Sequence, residues 1–234
     1  MSDYDAIAWL YDDWSRTVRE DVSFYIEEAL ASGGPVVELG VGTGRIGIPV
    51  ALSGVHVIGV DASQGMLDVC RSTADAAGVD EFLDLRLGDY RDPPVDERVP
   101  LVMVPFRAYL HLLEDDDRVR ALTAARELLL PGGKLIFDVF APSPEDIRET
   151  HGRWLEREPG IFERADWDAA RQRLVLSVRG EEGEASMELA WLGPDAWRDL
   201  LERTGFEVLG LYEWFDRRPY RGGEDQVWIA RRPP

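Results

Sequence analysis

One cysteine, Cys70, and one lysine, Lys134, occur in 234 residues. A lone cysteine excludes an internal disulfide framework and any multi-cysteine metal site. The three histidines, His56, His111 and His151, form no local ligand motif, and carboxylates are too abundant to mark a site, so no metal is expected. Positive charge is scarce: 26 basic against 45 acidic residues give a formal charge of -19, with no basic block. Such a chain repels a nucleic-acid backbone. No apolar run approaches a membrane span. The start, MSDYDAIAWLYDD, is acidic and lacks the basic-then-apolar order of an export signal. A cytoplasmic chain is expected, monomer or homodimer, without nucleic-acid or membrane partners.

What is present is core-forming material. Hydrophobic residues make up 45% of the chain, enough at this length to bury one substantial core, so residues 1–234 are expected to form one elaborated domain. Apolar residues within 5–30 recur at mostly helical spacing, which predicts a helical N-terminal segment over residues 1–34, suited either to a buried layer or to a lid. From Val36 the apolar period alternates between two and about 3.6. Strands ending at Leu39, Asp61, Leu87, Val104 and Phe140 are separated by helices predicted over 45–52, 63–77 and 115–130. Over residues 35–141 this is the pattern of crossover units in a parallel sheet. Residues 142–193 differ, with strands predicted over 162–167, 173–179 and 185–191 as an antiparallel insertion. Residues 194–234 supply a helix from Pro194 to Arg203 and two closing strands.

Between the first strand and the first crossover helix stands Glu38-Leu39-Gly40-Val41-Gly42-Thr43-Gly44. Gly40, Gly42 and Gly44 permit unusual backbone angles and remove side chains that would block a ligand. The same stretch contains Gly42-Thr43-Gly44-Arg45-Ile46-Gly47, which satisfies the GxGxxG dinucleotide pattern. Glu38 separates the two readings. A carboxylate before the turn opposes a pyrophosphate and attracts a cationic ligand. Asp61, followed by Ala62, ends the second strand where a carboxylate accepts both hydroxyl hydrogens of a ribose, a function shared by both readings. Gly88-Asp89-Tyr90 ends the third strand, where Asp89 can accept from an adenine amino group, and Met66 is placed to cover an adenine face or simply to pack.

These residues resemble the class I S-adenosylmethionine-dependent methyltransferases. The resemblance rests on residues 36–44, on Val57-Ile58-Gly59-Val60-Asp61, on Gly88-Asp89, and on Leu129-Leu130-Pro131-Gly132-Gly133-Lys134-Leu135. It implies a three-layer Rossmann-like α/β fold with a seven-stranded, mostly parallel sheet and an antiparallel C-terminal strand. It also implies S-adenosylmethionine as cofactor and S-adenosylhomocysteine as product. The glycine turn then faces the methionine moiety, Asp61 the ribose and Asp89 the adenine, with Pro105 closing the cofactor side.

The resemblance leaves the methyl acceptor open. Ligands of open α/β sheets collect beyond the carboxyl ends of the strands, and there the fourth strand delivers Pro105-Phe106-Arg107-Ala108-Tyr109-Leu110-His111. His111 is the candidate base, since an imidazole titrates near neutrality, and a hydrogen-bonded helix residue is its bland alternative. Phe106, Arg107 and Tyr109, with Tyr4, Tyr11 and Trp14 from the N-terminal segment and Trp154 from the insertion, are the candidate acceptor contacts. The expected activity is direct methyl transfer to nitrogen or oxygen of a small molecule. An NAD-dependent oxidoreductase, a noncatalytic cofactor-binding module and a protein methyltransferase are the alternatives.

Overall fold

The computed structural model describes residues 20–181 and 183–234, so Tyr4, Tyr11 and Trp14 lie outside the described residues. Helix α1 spans Glu20–Ser32, followed by β1 (Val36–Leu39), α2 (Gly47–Leu52), β2 (Val57–Asp61), α3 (Gln64–Ala77), β3 (Leu83–Leu87) and β4 (Val99–Val104). Then come α4 (Asp115–Leu128), β5 (Leu129–Phe140), α5 (Pro144–Thr150), β6 (Trp154–Glu158), β7 (Ile161–Asp168), β8 (Arg173–Gly180), β9 (Gly183–Ala190), α6 (Pro194–Arg203), β10 (Glu207–Tyr212) and β11 (Asp225–Arg231). Local chemistry sets the ends of α3. Ser63 Oγ accepts the Met66 N–H at 3.2 Å, while Gly78, at φ 69°, turns the chain out in a left-handed conformation that costs glycine little.

The main sheet runs β10-β11-β5-β4-β1-β2-β3. Strands β3, β2, β1, β4 and β5 are parallel, and β11 lies antiparallel to both β5 and β10. Alternation along the strands divides the core into two layers. Val36, Leu101, Met103, Ile136 and Ile229 pack with Phe24, Tyr25 and Ala29 of α1 and with α2 and α3. Val37, Leu39, Val102, Leu135, Phe137 and Trp228 pack against α4, α6 and the insertion. The described part of the N-terminal segment is therefore a core helix. Sheet order grows outward from β1 in both directions, so β1 and β4 part at their carboxyl ends, where a crevice forms.

Three elements depart from expectation. The helix predicted to Leu130 ends at Leu128 because Leu129 already pairs with Val99; residues 130–133 then bulge, with Gly132 at φ 82°, before Lys134 resumes the ladder opposite Leu101. The insertion has four strands, β6-β7-β8-β9. Its edge strand β6, Trp-Leu-Glu-Arg-Glu, is too charged to read as a strand from its sequence. Helix α5 has seven residues and one aliphatic anchor, Ile147, too little for a helical period to register.

Candidate active site at the carboxyl edge of the sheet

The glycine turn is held from below by the strand beside it. Asp61 Oδ2 accepts the Gly42 N–H at 2.8 Å and its Oδ1 accepts the Ser63 N–H at 2.8 Å. The Gly40 and Val41 N–H groups both donate to the Val60 carbonyl, at 2.8 and 3.1 Å. Gly40, Gly42 and Gly44 all have positive φ, 79°, 56° and 88°. Their surroundings differ. Among the described residues a Cβ on Gly42 would meet nothing within 4 Å, whereas one on Gly44 would stand 2.6 Å from Cys70 Sγ and 2.7 Å from Ile48 Cδ1. Gly42 thus opens space above the turn, and Gly44 lets α2 and α3 close beneath it.

Glu38 is 1% exposed on β1, on the layer of α1 to α3, and its Oε2 has no hydrogen-bond partner among the described residues. Burial pushes its carboxyl well above the usual range; Arg45 opposes the shift, and Asp61 and Asp21 add to it. Arg45 forms a bidentate pair with buried Asp21 and lies 4.4 Å over the Phe106 ring. A carboxylate with an unused oxygen in low dielectric calls for a cationic or hydrogen-bond-donating neighbour.

At the third strand end, the Arg91 N–H, Nε and Nη2 all bond the Asp89 carboxylate, and Arg91 Nη1 donates to Asp117 at 2.9 Å. The Arg91 bonds, the largest effect, hold the Asp89 carboxyl below its ordinary value. Gly88 is needed for packing, since a Cβ there would stand 2.3 Å from Pro94 Cδ. Tyr90 donates its hydroxyl to the Ala108 carbonyl at 3.4 Å, Met66 is buried in the first turn of α3, Ala62 is exposed after β2, and Pro105 is buried after β4.

Beyond β4 and β5 a cavity of about 500 Å³ lies between the main sheet and the insertion, and Phe106, Arg107 and His111 line it. Strand alternation selects the insertion residues that face inward: Leu155 and Arg157 on β6, Glu163, Ala165 and Trp167 on β7, Leu174 and Leu176 on β8. Trp154 is therefore on the opposite face of β6, where the Arg179 guanidinium stacks on it at 4.3 Å, rather than among the cavity walls. Tyr109 also departs from expectation. It is fully buried against Phe137 and Trp197, because the 3-10 turn Ala108–His111 puts residues three apart on one side, sending Tyr109 and Leu112 inward and His111 to the cavity.

The cavity also contains residues that were not anticipated. Asp138, from β5, is 7% exposed and lies in the apolar run Ile136-Phe137-Asp138-Val139-Phe140. A carboxylate inside a buried strand is itself a sequence signal. Trp214, Phe215 and Glu224 arrive from the β10–β11 connection, Asp225 from the start of β11, and Asp21 from α1, none of which carries a local motif.

Residues 36–133 match the model of a methyltransferase domain family. The cypemycin N-terminal methyltransferase of Streptomyces sp. is 28% identical over 209 residues, 85% of this chain and 82% of that protein. The CcbJ methyltransferase of Streptomyces caelestis is 28% identical with a TM-score of 0.85, and the match covers 97% of this chain and 96% of that one. The chain has the class I methyltransferase architecture and is an S-adenosylmethionine-dependent methyltransferase. The fold is shared also by CalS10 of Micromonospora echinaspora, an amino pentose methyltransferase solved with S-adenosylmethionine bound, at 18% identity, TM-score 0.67 and 93% coverage of each chain.

The methyltransferase takes S-adenosylmethionine as its cofactor. Its residues fit that group: Glu38 offers a buried carboxylate oxygen with no partner among the described residues, and the Gly42 position leaves open space over the turn. Among the described residues no group of histidine, cysteine and carboxylates is arranged to hold a metal, and no helix is long and apolar enough to cross a membrane.

Proposed function

We propose that the methyltransferase acts on a small molecule, and that the accepting atom is an amine nitrogen in preference to a hydroxyl oxygen. The observation that carries this reading is the cavity of about 500 Å³ beyond β4 and β5, whose size suits a metabolite. Its walls combine the apolar side chains of Leu174, Leu176, Met187 and Trp167 with the carboxylates of Asp146 and Glu224, while Glu163 and Asp225 are paired with Arg157 and Arg107. The two carboxylates outside those pairs, beside aromatic surface, favour a cationic amine. Two of the similar proteins are named for amine-bearing acceptors, the N terminus of cypemycin and an amino pentose.

S-adenosylmethionine, when bound, supplies a methyl group activated by its positively charged sulfur and taken by direct displacement. In this reading Glu38, Gly40, Gly42 and Gly44 receive the methionine moiety, Asp61 and Ala62 the ribose, and Met66, Gly88, Asp89, Tyr90 and Pro105 the adenine side. Each oxygen of the Asp61 carboxylate can accept more than one hydrogen bond, so Asp61 can accept from a diol while still holding the turn. Asp89, already tied to Arg91, has less capacity, and the Gly88–Tyr90 backbone takes a larger share. Phe106 and Arg107 orient the acceptor, the insertion excludes water, and His111 removes the proton that an ammonium must lose before its lone pair can react.

The test is transfer of labelled methyl from S-adenosylmethionine to separate panels of small amines, small alcohols, peptides and nucleic acids. Label in the amine panel is the expected result. Label confined to alcohols overturns the choice of nitrogen, label confined to peptides or nucleic acids overturns the small-molecule reading, and cofactor binding without any transfer identifies a noncatalytic module.

A further inference from the structure

After β4 the chain makes a turn for which its side chains are poorly suited. Phe106 and Arg107 are consecutive non-glycine residues in the left-handed region, at φ 54° and 62°. Each such residue costs roughly 1–2 kcal/mol, so the surroundings must hold the turn. They hold it at the backbone and at both side chains. Asp138 Oδ1 accepts the Phe106 N–H at 2.9 Å, and its Oδ2 accepts the Arg107 N–H at 3.1 Å. The Arg45 guanidinium lies over the Phe106 ring, and Arg107 Nη2 bonds Asp225 Oδ1 at 2.8 Å with its guanidinium 4.7 Å over the Phe140 ring. Two successive N–H groups pointing at one carboxylate form a backbone anion nest filled by the protein's own side chain.

We propose that Asp138 is the positioning residue of the acceptor cavity: as an anion it fastens the Phe106–Arg107 turn, and on protonation it releases its hold on one of the two amides. A carboxylate accepts at both oxygens, whereas a carboxylic acid must donate from one of them. Oδ1 serves both the Tyr25 hydroxyl, at 2.9 Å, and the Phe106 N–H, and Oδ2 serves Arg107; a proton on Oδ2 therefore sets a donor against the Arg107 N–H, and a proton on Oδ1 leaves a weaker hydroxyl acceptor for the Phe106 N–H and obliges the Tyr25 hydroxyl to turn and accept. The turn carries Phe106 and Arg107 directly and leads into the 3-10 turn that presents His111, so one carboxyl sets the geometry of three cavity residues.

The charged surroundings of Asp138 support this. Burial, the largest effect, raises its carboxyl to about 6. The Tyr25 hydroxyl and Asp21 face it from α1, acting in opposite directions, and Arg107 and Arg45 face it from the rim turn and the glycine turn, both favouring the anion. Its partner across β11 is the uncharged Val227, and His111, Glu224 and Asp225 line the same cavity.

The inference about catalysis rests on the proposed acceptor site, but the turn itself can be tested without an acceptor. Amide hydrogen exchange of Phe106 and Arg107, corrected for intrinsic rates, is measured on the full chain with S-adenosylhomocysteine present, from pH 7.5 down to 5. Protection of at least one of the two amides is expected to fall at least about tenfold across a midpoint near 6. In Asp138→Asn at least one of the two amides is expected to be weakly protected at both extremes, and Asp138→Glu to restore part of the protection at pH 7.5. Protection in the wild type that ignores pH over this range, or an Asp138→Asn protein protected as well as the wild type, overturns the proposal. Should Asp138→Asn fail to fold, the wild-type series decides alone. Failure of the functional reading shows separately, as absent methyl transfer to amines by a wild-type protein whose turn behaves as described.

Discussion

Asp61 grips the glycine turn directly, its Oδ2 accepting the Gly42 N–H at 2.8 Å from 19 residues along the chain. In the proposed reading, the carboxylate assigned to the ribose and the turn assigned to the methionine moiety are thus one mechanical unit. Asp61→Ala is expected to weaken S-adenosylmethionine binding by more than about tenfold, because it removes a ligand acceptor and loosens the turn together, each worth roughly 1 kcal/mol or more. Titration calorimetry reads it. Unchanged affinity would place the nucleoside elsewhere.

Glu38 sets stability against function. Its carboxyl is raised in the folded protein, so the fold holds that proton more tightly than the unfolded chain does. The stabilisation from protonation is full below the unfolded value and is lost as pH rises through the folded one. Glu38→Gln is therefore expected to raise Tm at neutral pH, and to flatten that part of the pH dependence, while S-adenosylmethionine affinity drops. A variant that loses stability at pH 7 and keeps its affinity contradicts both halves.

His111→Ala separates proton removal from binding. Turnover on an amine acceptor is expected to fall about a hundredfold, in the range of general-base contributions, with S-adenosylhomocysteine affinity retained. Steady-state kinetics beside calorimetry checks this. Equal turnover would leave His111 as a wall of the cavity only.

Tyr109→Phe tests the assignment of that ring to the core. The Tyr109 hydroxyl is buried without a hydrogen-bond partner among the described residues. Removing it is expected to stabilise the protein by about 1 kcal/mol and to leave acceptor KM unchanged. Thermal denaturation and kinetics on the same preparation supply both readouts, and a raised KM would return Tyr109 to the cavity wall.

The parallel strands were legible because β1, β2 and β3 are short runs closed at their carboxyl ends by Gly40, Asp61 and Gly88, and β4 is a short apolar run closed by Pro105. The glycine turn, Asp61 and the Pro105 to His111 rim announced themselves by position along that alternation. Side-chain direction within irregular segments did not. Tyr109 and His111 are two residues apart in a 3-10 turn, and only the turn type decides which of them meets the cavity. Trp154 failed for a related reason: on a strand that had not been recognised, its parity was unknowable. Asp138 escaped notice because it is not part of a motif; its importance comes from a backbone 31 to 32 residues earlier, whose amides point at it.

Strand β11 enters the sheet where its parallel neighbours leave it, opposite Phe140 at its first residue, Asp225. Reversing one strand therefore keeps the whole connection from Trp214 to Glu224 at the carboxyl edge, where a parallel β11 would have required it to cross to the opposite edge. In the proposed reading, acceptor preference is accordingly divided between two stretches outside the nucleoside-binding half, the β6 to β9 insertion and this late connection. Exchanging either for a foreign counterpart offers a route to new acceptors that leaves the methyl donor's half intact.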